Sequence, residues 1–432
     1  MKIVKFIPAI LLTLLSFTLD AQVAVRGGLP NFFDKIERAE EVAVAYFGGS
    51  ITAQAGWRVQ SLNYLKEEYP KAKFRELNAT IGGTGSDLGA LRINYDVFRQ
   101  EPDLLFVEFA VNDSRTDSLV ILNSMEGIVR KTWERYPYCD ICFVYTFHKP
   151  LLEELLAGEY NLSVRVMELV AERYNIPTVH LGSEALKLIK SGEMEISTPK
   201  GVQTKVSGNE LNKSFTPQTE EDGKIYFSPD GVHPFLNTGH VLYTRAFIDA
   251  LNLYKEVGAK EVKHKVRKAI SKENREFSTP AYIDQNMLEG DWSVVEKSYF
   301  GSKYKQLWSG KRGAKIKFEF SGSTLIAYDL IGPGSCKLRI TIDGESREVN
   351  RFDGHCTYWR ISSFVVAEKL DPKRVHSVEI EVLELEDKRD ILFEQNQANY
   401  DNNTKPYVNT EWQIGNFFIL EKGGSLSGVV NI

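Results

Sequence analysis

A change of pattern along the chain constrains its fold most. From residue 42 to about 255, short apolar runs alternate with amphipathic segments; from about 286 onward, strand-like runs follow one another with only turns between them. "VAVAYF", "DLLFVEFAV" and "CDICFVYTF" read as buried strands, and "WRVQSLNYLKEEY", "SDLGALRINYDVFRQ" and "NLSVRVMELVAERY" as helices. Alternation of this kind predicts a parallel sheet with helices on both faces. The later runs, "KIKFEF", "STLIAYDL", "CKLRITID" and "HSVEIEVLE", alternate between faces and predict an antiparallel β-sandwich. A chain of 432 residues is also too long for one ordinary core. We therefore expect a signal segment (1–21), a catalytic-type α/β domain (36–258), a charged and partly helical linker (259–285) and a sandwich domain (286–432).

The N-terminus carries its own signal. A basic "MKIVKF", an apolar "IPAILLTLLSF" and "TLDAQ" read as a secretory signal peptide. The apolar run is shorter than the roughly 20 residues of a membrane helix. Export to the periplasm or the extracellular space follows, without stable membrane insertion. The formal net charge of -5 offers no basic excess for nucleic acid. Four cysteines cannot build a disulfide scaffold. Cys139 and Cys142 sit three apart on a strand, facing opposite sides, and read as buried thiols. Cys336 and Cys356 can pair in an oxidising compartment. Residues 190–228 are polar and rich in turn formers. They read as a surface insertion containing a small hairpin, or as a lid or substrate-facing loop.

Chemistry concentrates at strand ends. "VAVAYF" runs into Gly48-Gly49-Ser50, a tight turn where a ligand crevice of a parallel sheet is expected. Taken alone, Ser50 is an ordinary turn or capping serine. The glycines do not form a P-loop or a dinucleotide fingerprint. Asp230 and His233, in "SPDGVHPF", add a base and its orienting carboxylate, so Ser50 can act as an activated nucleophile. Gly83 in "IGGTG" and Asn112 in "AVNDSR" supply a backbone N–H and a side-chain amide. With the Ser50 N–H these can stabilise an oxyanion. Asn78 reads as a loop-bonding residue. Arg58, Asp87 and Arg115 lie near these blocks and can orient substrate or pair structurally. No ligand cluster for a metal accompanies the pair Asp230 and His233.

Together these four blocks resemble the SGNH hydrolases, also called GDSL-like esterases, over roughly residues 42–255. The usual Gly-Asp-Ser is "GGS" here, with Gly49 in place of aspartate; the second-block glycine is Gly83, with Gly82 beside it. The usual Gly-x-Asn-Asp is "AVND", with Ala110 in place of glycine, and the final Asp-x-x-His is intact. The resemblance implies a three-layer, flavodoxin-like domain, a Ser50–His233–Asp230 triad, and an oxyanion site of Ser50, Gly83 and Asn112. It implies serine-ester hydrolysis without metal or organic cofactor. The C-terminal region resembles the jelly-roll modules of polysaccharide-processing enzymes. An acetylated glycan, of xylan or O-acetyl sialic acid type, is the expected substrate. A lipase or general short-chain esterase, and an inactive glycan-binding protein, are the alternatives. Trp292, Trp308, Tyr358 and Trp359 are read as packing residues before sugar contacts.

Overall fold

The computed structural model describes residues 22–198, 215–296, 300, 303–404, 407 and 409–427. The expected signal peptide, 1–21, lies outside them. In the first domain a six-stranded sheet has the order β1-β6-β5-β4-β2-β3, comprising β1 (Val23–Ala24), β2 (Glu41–Gly48), β3 (Lys73–Asn78), β4 (Leu104–Glu108), β5 (Asp140–Tyr145) and β6 (Thr178–His180). β2 to β6 are parallel; β1 joins β6 antiparallel at one edge. Without that edge strand the order is the doubly wound, flavodoxin-like one.

The strands are apolar on both faces because both faces are covered. Along β2, Val42, Val44 and Tyr46 join one core with the helices Trp57–Glu68 and Gly239–Lys255. Ala43, Ala45 and Phe47 join the other with Ser86–Asp96, Ser118–Arg135 and Leu162–Tyr174. Cys139 and Cys142 divide between the same two layers, both buried as free thiols. The chain reverses its winding direction between the adjacent strands β2 and β4, which opens a crevice at their C-terminal ends.

The C-terminal region forms two antiparallel sheets around a shared core. Lys315–Ser321 shows the expected alternation, with Ile316, Phe318 and Phe320 inward. Leu325–Ile331 departs from it: all seven residues are buried. Leu325 and Ala327 face the sandwich core, while Ile326, Tyr328 and Leu330 pack against Leu88 and Leu91 of the first domain. A strand covered on both faces loses its polar side, as the parallel strands do. Cys336 and Cys356 are buried free thiols rather than a pair.

Two expectations need correction. The segment after the helix Gly239–Lys255 is not partly helical: from 259 to 269 it is an extended strap, followed by turns to 277. Val262, His264 and Val266 are half-buried while Lys263, Lys265 and Arg267 are exposed, a period of two. Glu126 fixes the strap by accepting from Ile270 N (2.6 Å) and Ser271 N (2.9 Å). Ser278–Tyr282, on the linker side of the expected 286 boundary, already pairs with Glu411–Leu420 of the sandwich. The small hairpin or lid expected within the polar insertion falls on residues 199–214, outside the described ones. β7 (Met194–Ser197) and β8 (Ile225–Ser228) pair in parallel.

Candidate active site

The end of β2 is built to hold one hydroxyl. Ser50 opens the short helix Ser50–Ala53, with Gly49 as its N-cap. Ser50 Oγ lies 2.8 Å from His233 Nε2, and His233 Nδ1 lies 2.7 Å from Asp230 Oδ2. The other Asp230 oxygen accepts from Val232 N at 2.9 Å and His233 N at 2.8 Å. Partial burial works against the Asp230 charge. The bonds and charge of His233 and the Val232 N–H outweigh it and hold the carboxyl below its usual range. An ionised Asp230 places the imidazole proton on Nδ1, leaving Nε2 free to accept from Ser50. Three residues separated by 183 positions in sequence thus form one hydrogen-bonded line.

Asn112, half-buried in the turn after β4, stands on the other side of this loop. A Cβ added to Gly49 would sit 2.0 Å from Asn112 Oδ1. Here the side chain of Asn112 fills the space that a residue larger than glycine needs, which accounts for the Gly49 departure from Gly-Asp-Ser. Gly82 and Gly83 border the same cleft. Gly83 adopts φ +72°, a left-handed conformation that favours glycine, and a Cβ on Gly82 would lie 3.4 Å from Ser50 Cβ. Asn78 Oδ1 accepts from Thr80 N and Oγ1 and shapes the loop, as expected for a structural residue.

Beneath the turn lies a group that sequence reasoning passed over. Glu108, the last residue of β4, is fully buried; it accepts from Thr146 Oγ1 at 2.7 Å, from Thr52 Oγ1 at 2.8 Å and from the Gly49 N–H. Burial pushes its carboxyl up despite these bonds. It ties the turn holding Ser50 to β4 and to the loop after β5. Its only sequence signal was a carboxylate inside an otherwise apolar run. Asp113 is likewise buried and pushed up to about 7 by burial; it accepts from Ser86 N at 3.0 Å. His240, in the first turn of the helix Gly239–Lys255, is buried. Its Nδ1 accepts from Trp57 N at 3.1 Å and its Nε2 donates to Gln54 Oε1 at 3.0 Å. The helix does carry it away from Ser50.

The three candidate orienting residues are not on the cleft wall. Arg58 takes the structural of its two expected roles: it is buried, donates to Thr52 O at 3.0 Å and Ala53 O at 3.3 Å, and pairs with Glu76. Its guanidinium is consumed in bracing the segment after Ser50. Asp87 lies in the first turn of the helix Ser86–Asp96, where its backbone oxygen accepts from Arg275 at 2.8 Å. Arg115 is exposed and acts at a distance on His148, which burial and then this charge push down. Neither Asp87 nor Arg115 lines the cleft with Ser50.

That cleft, of 960 Å³, has two walls from two domains. Ser50, His233, Gly82 and Gly83 lie on one; Lys303, Tyr358, Trp359 and Arg360 of the sandwich lie on the other. Trp308 is core, as expected, and Trp292 packs over Gly310. Trp359 packs over Gly332 and joins the interdomain cluster. Tyr358 breaks the expectation of packing: it is 59% exposed.

No family model matches the sequence, and no curated protein matches it. Among solved structures, a two-domain esterase active on acetylated mannans, co-crystallised with mannopentaose, superposes with a TM-score of 0.67. It covers 96% of this chain and 99% of that one, at 19% identity. A second structure, also described as a two-domain esterase active on acetylated mannans, gives 0.66 over 95% and 100%, again at 19% identity. The chain has this two-domain fold. The likeness spans both the parallel-sheet domain and the sandwich, so the attachment of a sandwich to this α/β domain is a shared architecture.

Proposed function

We propose that this chain is an exported serine esterase that removes O-acetyl groups from a carbohydrate. The observation that carries the reading is the line Asp230–His233–Ser50, closed at 2.7 and 2.8 Å. His233 Nε2 takes the Ser50 proton as Oγ attacks the acetyl carbon. The carbonyl π pair moves to oxygen, where the Ser50 N–H, the Gly83 N–H and the Asn112 amide donate to it. The C–O bond to the sugar then breaks, and His233 returns the proton to the leaving alcohol. Water, deprotonated by His233, attacks the acyl-enzyme, releases acetate and restores the Ser50 hydroxyl. Asp230 holds the imidazole tautomer and stabilises its cationic form throughout.

A carbohydrate ester is supported by the exposed Tyr358 and the polar Asn78, Thr80 and Lys303 in the cleft, and by the mannan activity named for the solved neighbour. The closed triad favours the esterase over an inactive binding protein; the other sign of inactivity, an oxyanion site blocked by the insertion, falls on residues 199–214, outside the described ones. The test is acetate release from acetylated polysaccharides and sialoglycans, with the mature protein and Ser50→Ala side by side. Release by the unmodified protein, and a loss of at least about 10⁴-fold in Ser50→Ala, is the expected result. Equal release by both proteins would remove Ser50 from the reaction.

A further inference from the structure

The two walls of the cleft differ in charge as well as in origin. Among the described residues no carboxylate lines it, although the chain as a whole carries a formal charge of -5. Two cations do, both from the sandwich. Arg360 is already matched by Asp353, whose two oxygens it contacts. Lys303 is half-buried, borders both this cleft and a second pocket beside Arg92, Tyr95 and Arg99, and has no ion pair among the described residues. The acid that acts on it, Asp96, is itself committed to Arg92 at 2.6 Å. Burial pushes the Lys303 ammonium down, Asp96 pulls it up, and Arg92 and Arg99 add to the push. An uncompensated cation in a sheltered cleft attracts a counter-charge from outside. Close by, Tyr358 presents an exposed ring to the same space. It follows directly on Cys356 and Thr357 in a segment anchored by Trp359, whose ring is packed against Gly332. The exposed aromatic is thus held by a buried neighbour.

We propose that this sandwich wall selects an acidic glycan: Tyr358 stacks on a sugar ring, and Lys303 pairs with a carboxylate of the same chain while Ser50 faces the acetyl group. The proposal rests on the esterase reading above and names the substrate class of that site. The sandwich is then a specificity element for the reaction. Lys303 and Tyr358 are positioning residues, since neither is placed against the reacting atoms.

The experiment compares three acetyl esters: an acetylated uronate-bearing xylan, an acetylated neutral glucomannan and 4-nitrophenyl acetate. Each is given to the full protein, to Lys303→Met, to Tyr358→Ala and to Tyr358→Phe. The unmodified protein should prefer the uronate-bearing glycan by kcat/KM. Lys303→Met should raise KM on that glycan roughly tenfold and leave kcat unchanged. On the neutral glycan and the aryl ester it should change neither constant. Added salt should weaken only the acidic substrate. Tyr358→Ala should raise KM for both glycans but not for the aryl ester, with Tyr358→Phe restoring it. Unchanged aryl-ester turnover establishes in each variant that the catalytic wall is folded. Equal kcat/KM on acidic and neutral glycans, or a Lys303→Met effect that is the same on both, would overturn the selection of an acidic chain. A Tyr358→Ala protein with unaltered KM would overturn the stacking role. Failure of the esterase reading looks different: the unmodified protein would then leave all three esters intact.

Discussion

The two walls of the cleft are made in opposite ways. On the strand-end wall nearly every polar group is already satisfied within the protein. Glu108 holds Thr52, Thr146 and the Gly49 N–H; Arg58 braces the residues after Ser50; His240 has a partner on each ring nitrogen. On the sandwich wall Tyr358 is exposed and Lys303 has no ion pair among the described residues. Preorganisation and recognition are thus divided between domains. A group that must stabilise a transition state gains from being fixed beforehand. A group that must meet a ligand gains from being left without a partner. Changes on the strand-end wall should therefore depress turnover of every ester alike, whereas changes on the sandwich wall should discriminate among substrates.

Asn112→Ala is the largest of the tests of this division. Loss of one oxyanion donor costs about 2.7–4 kcal/mol in the transition state, or roughly 10²–10³-fold in kcat. The expected loss is equal for glycans and for an aryl acetate, measured as kcat on each. A loss confined to glycans would move Asn112 into substrate binding and blur the comparison.

Gly49→Ala sharpens the same point at smaller cost to the fold. The new methyl would stand 2.0 Å from Asn112 Oδ1, so the short amide side chain must move. Activity should fall toward that of Asn112→Ala, with destabilisation of about 1–3 kcal/mol by chemical denaturation. In the double variant the activity losses should not add, because both act through one amide. Additive losses would separate Gly49 from Asn112.

Much of the strand-end wall was legible in the sequence, and for a physical reason. Strand-end loops of a parallel sheet converge at one edge, so Ser50, Gly83, Asn112 and the Asp230–His233 pair can be placed together from order and context. Glu108 was not legible, because a carboxylate in an apolar run reads as a strand's exposed edge until the hydroxyls around it are known. Between the two roles open to Arg58, orienting substrate or pairing structurally, the sequence could not choose, because proximity to Ser50 says nothing about where a long side chain ends. The sandwich was legible as a class from its alternation, yet its place was not. Whether Tyr358 or Trp359 is displayed depends on how the two domains dock, and that is decided by Leu88 and Leu91 against Ile326, Tyr328 and Leu330. The fully buried run Leu325–Ile331 was the local sign of that second interface.

The smallest expected effect concerns acid stability of the strand-end wall. His240 is fully buried, and burial first, then the charges of His233 and Arg58, push it down to about 3 from an ordinary 6.5. In the unfolded chain the same imidazole takes up a proton as pH falls through 6.5, while in the folded protein it does not. The unfolded state therefore binds more protons between those values, and stability falls as pH drops through the window, levelling below about 3. Asp113, pushed up to about 7, works in the opposite direction, so the slope of the unmodified protein is a sum. His240→Asn isolates one contribution: the amide oxygen can still accept from Trp57 N–H, but nothing titrates. Urea unfolding at pH 7 and pH 4.5 should show the variant less stable at pH 7, yet losing less on acidification than the unmodified protein. Equal losses would mean that His240 is not held neutral between Trp57 and Gln54, and that the strand-end wall is less closed than its hydrogen bonds imply.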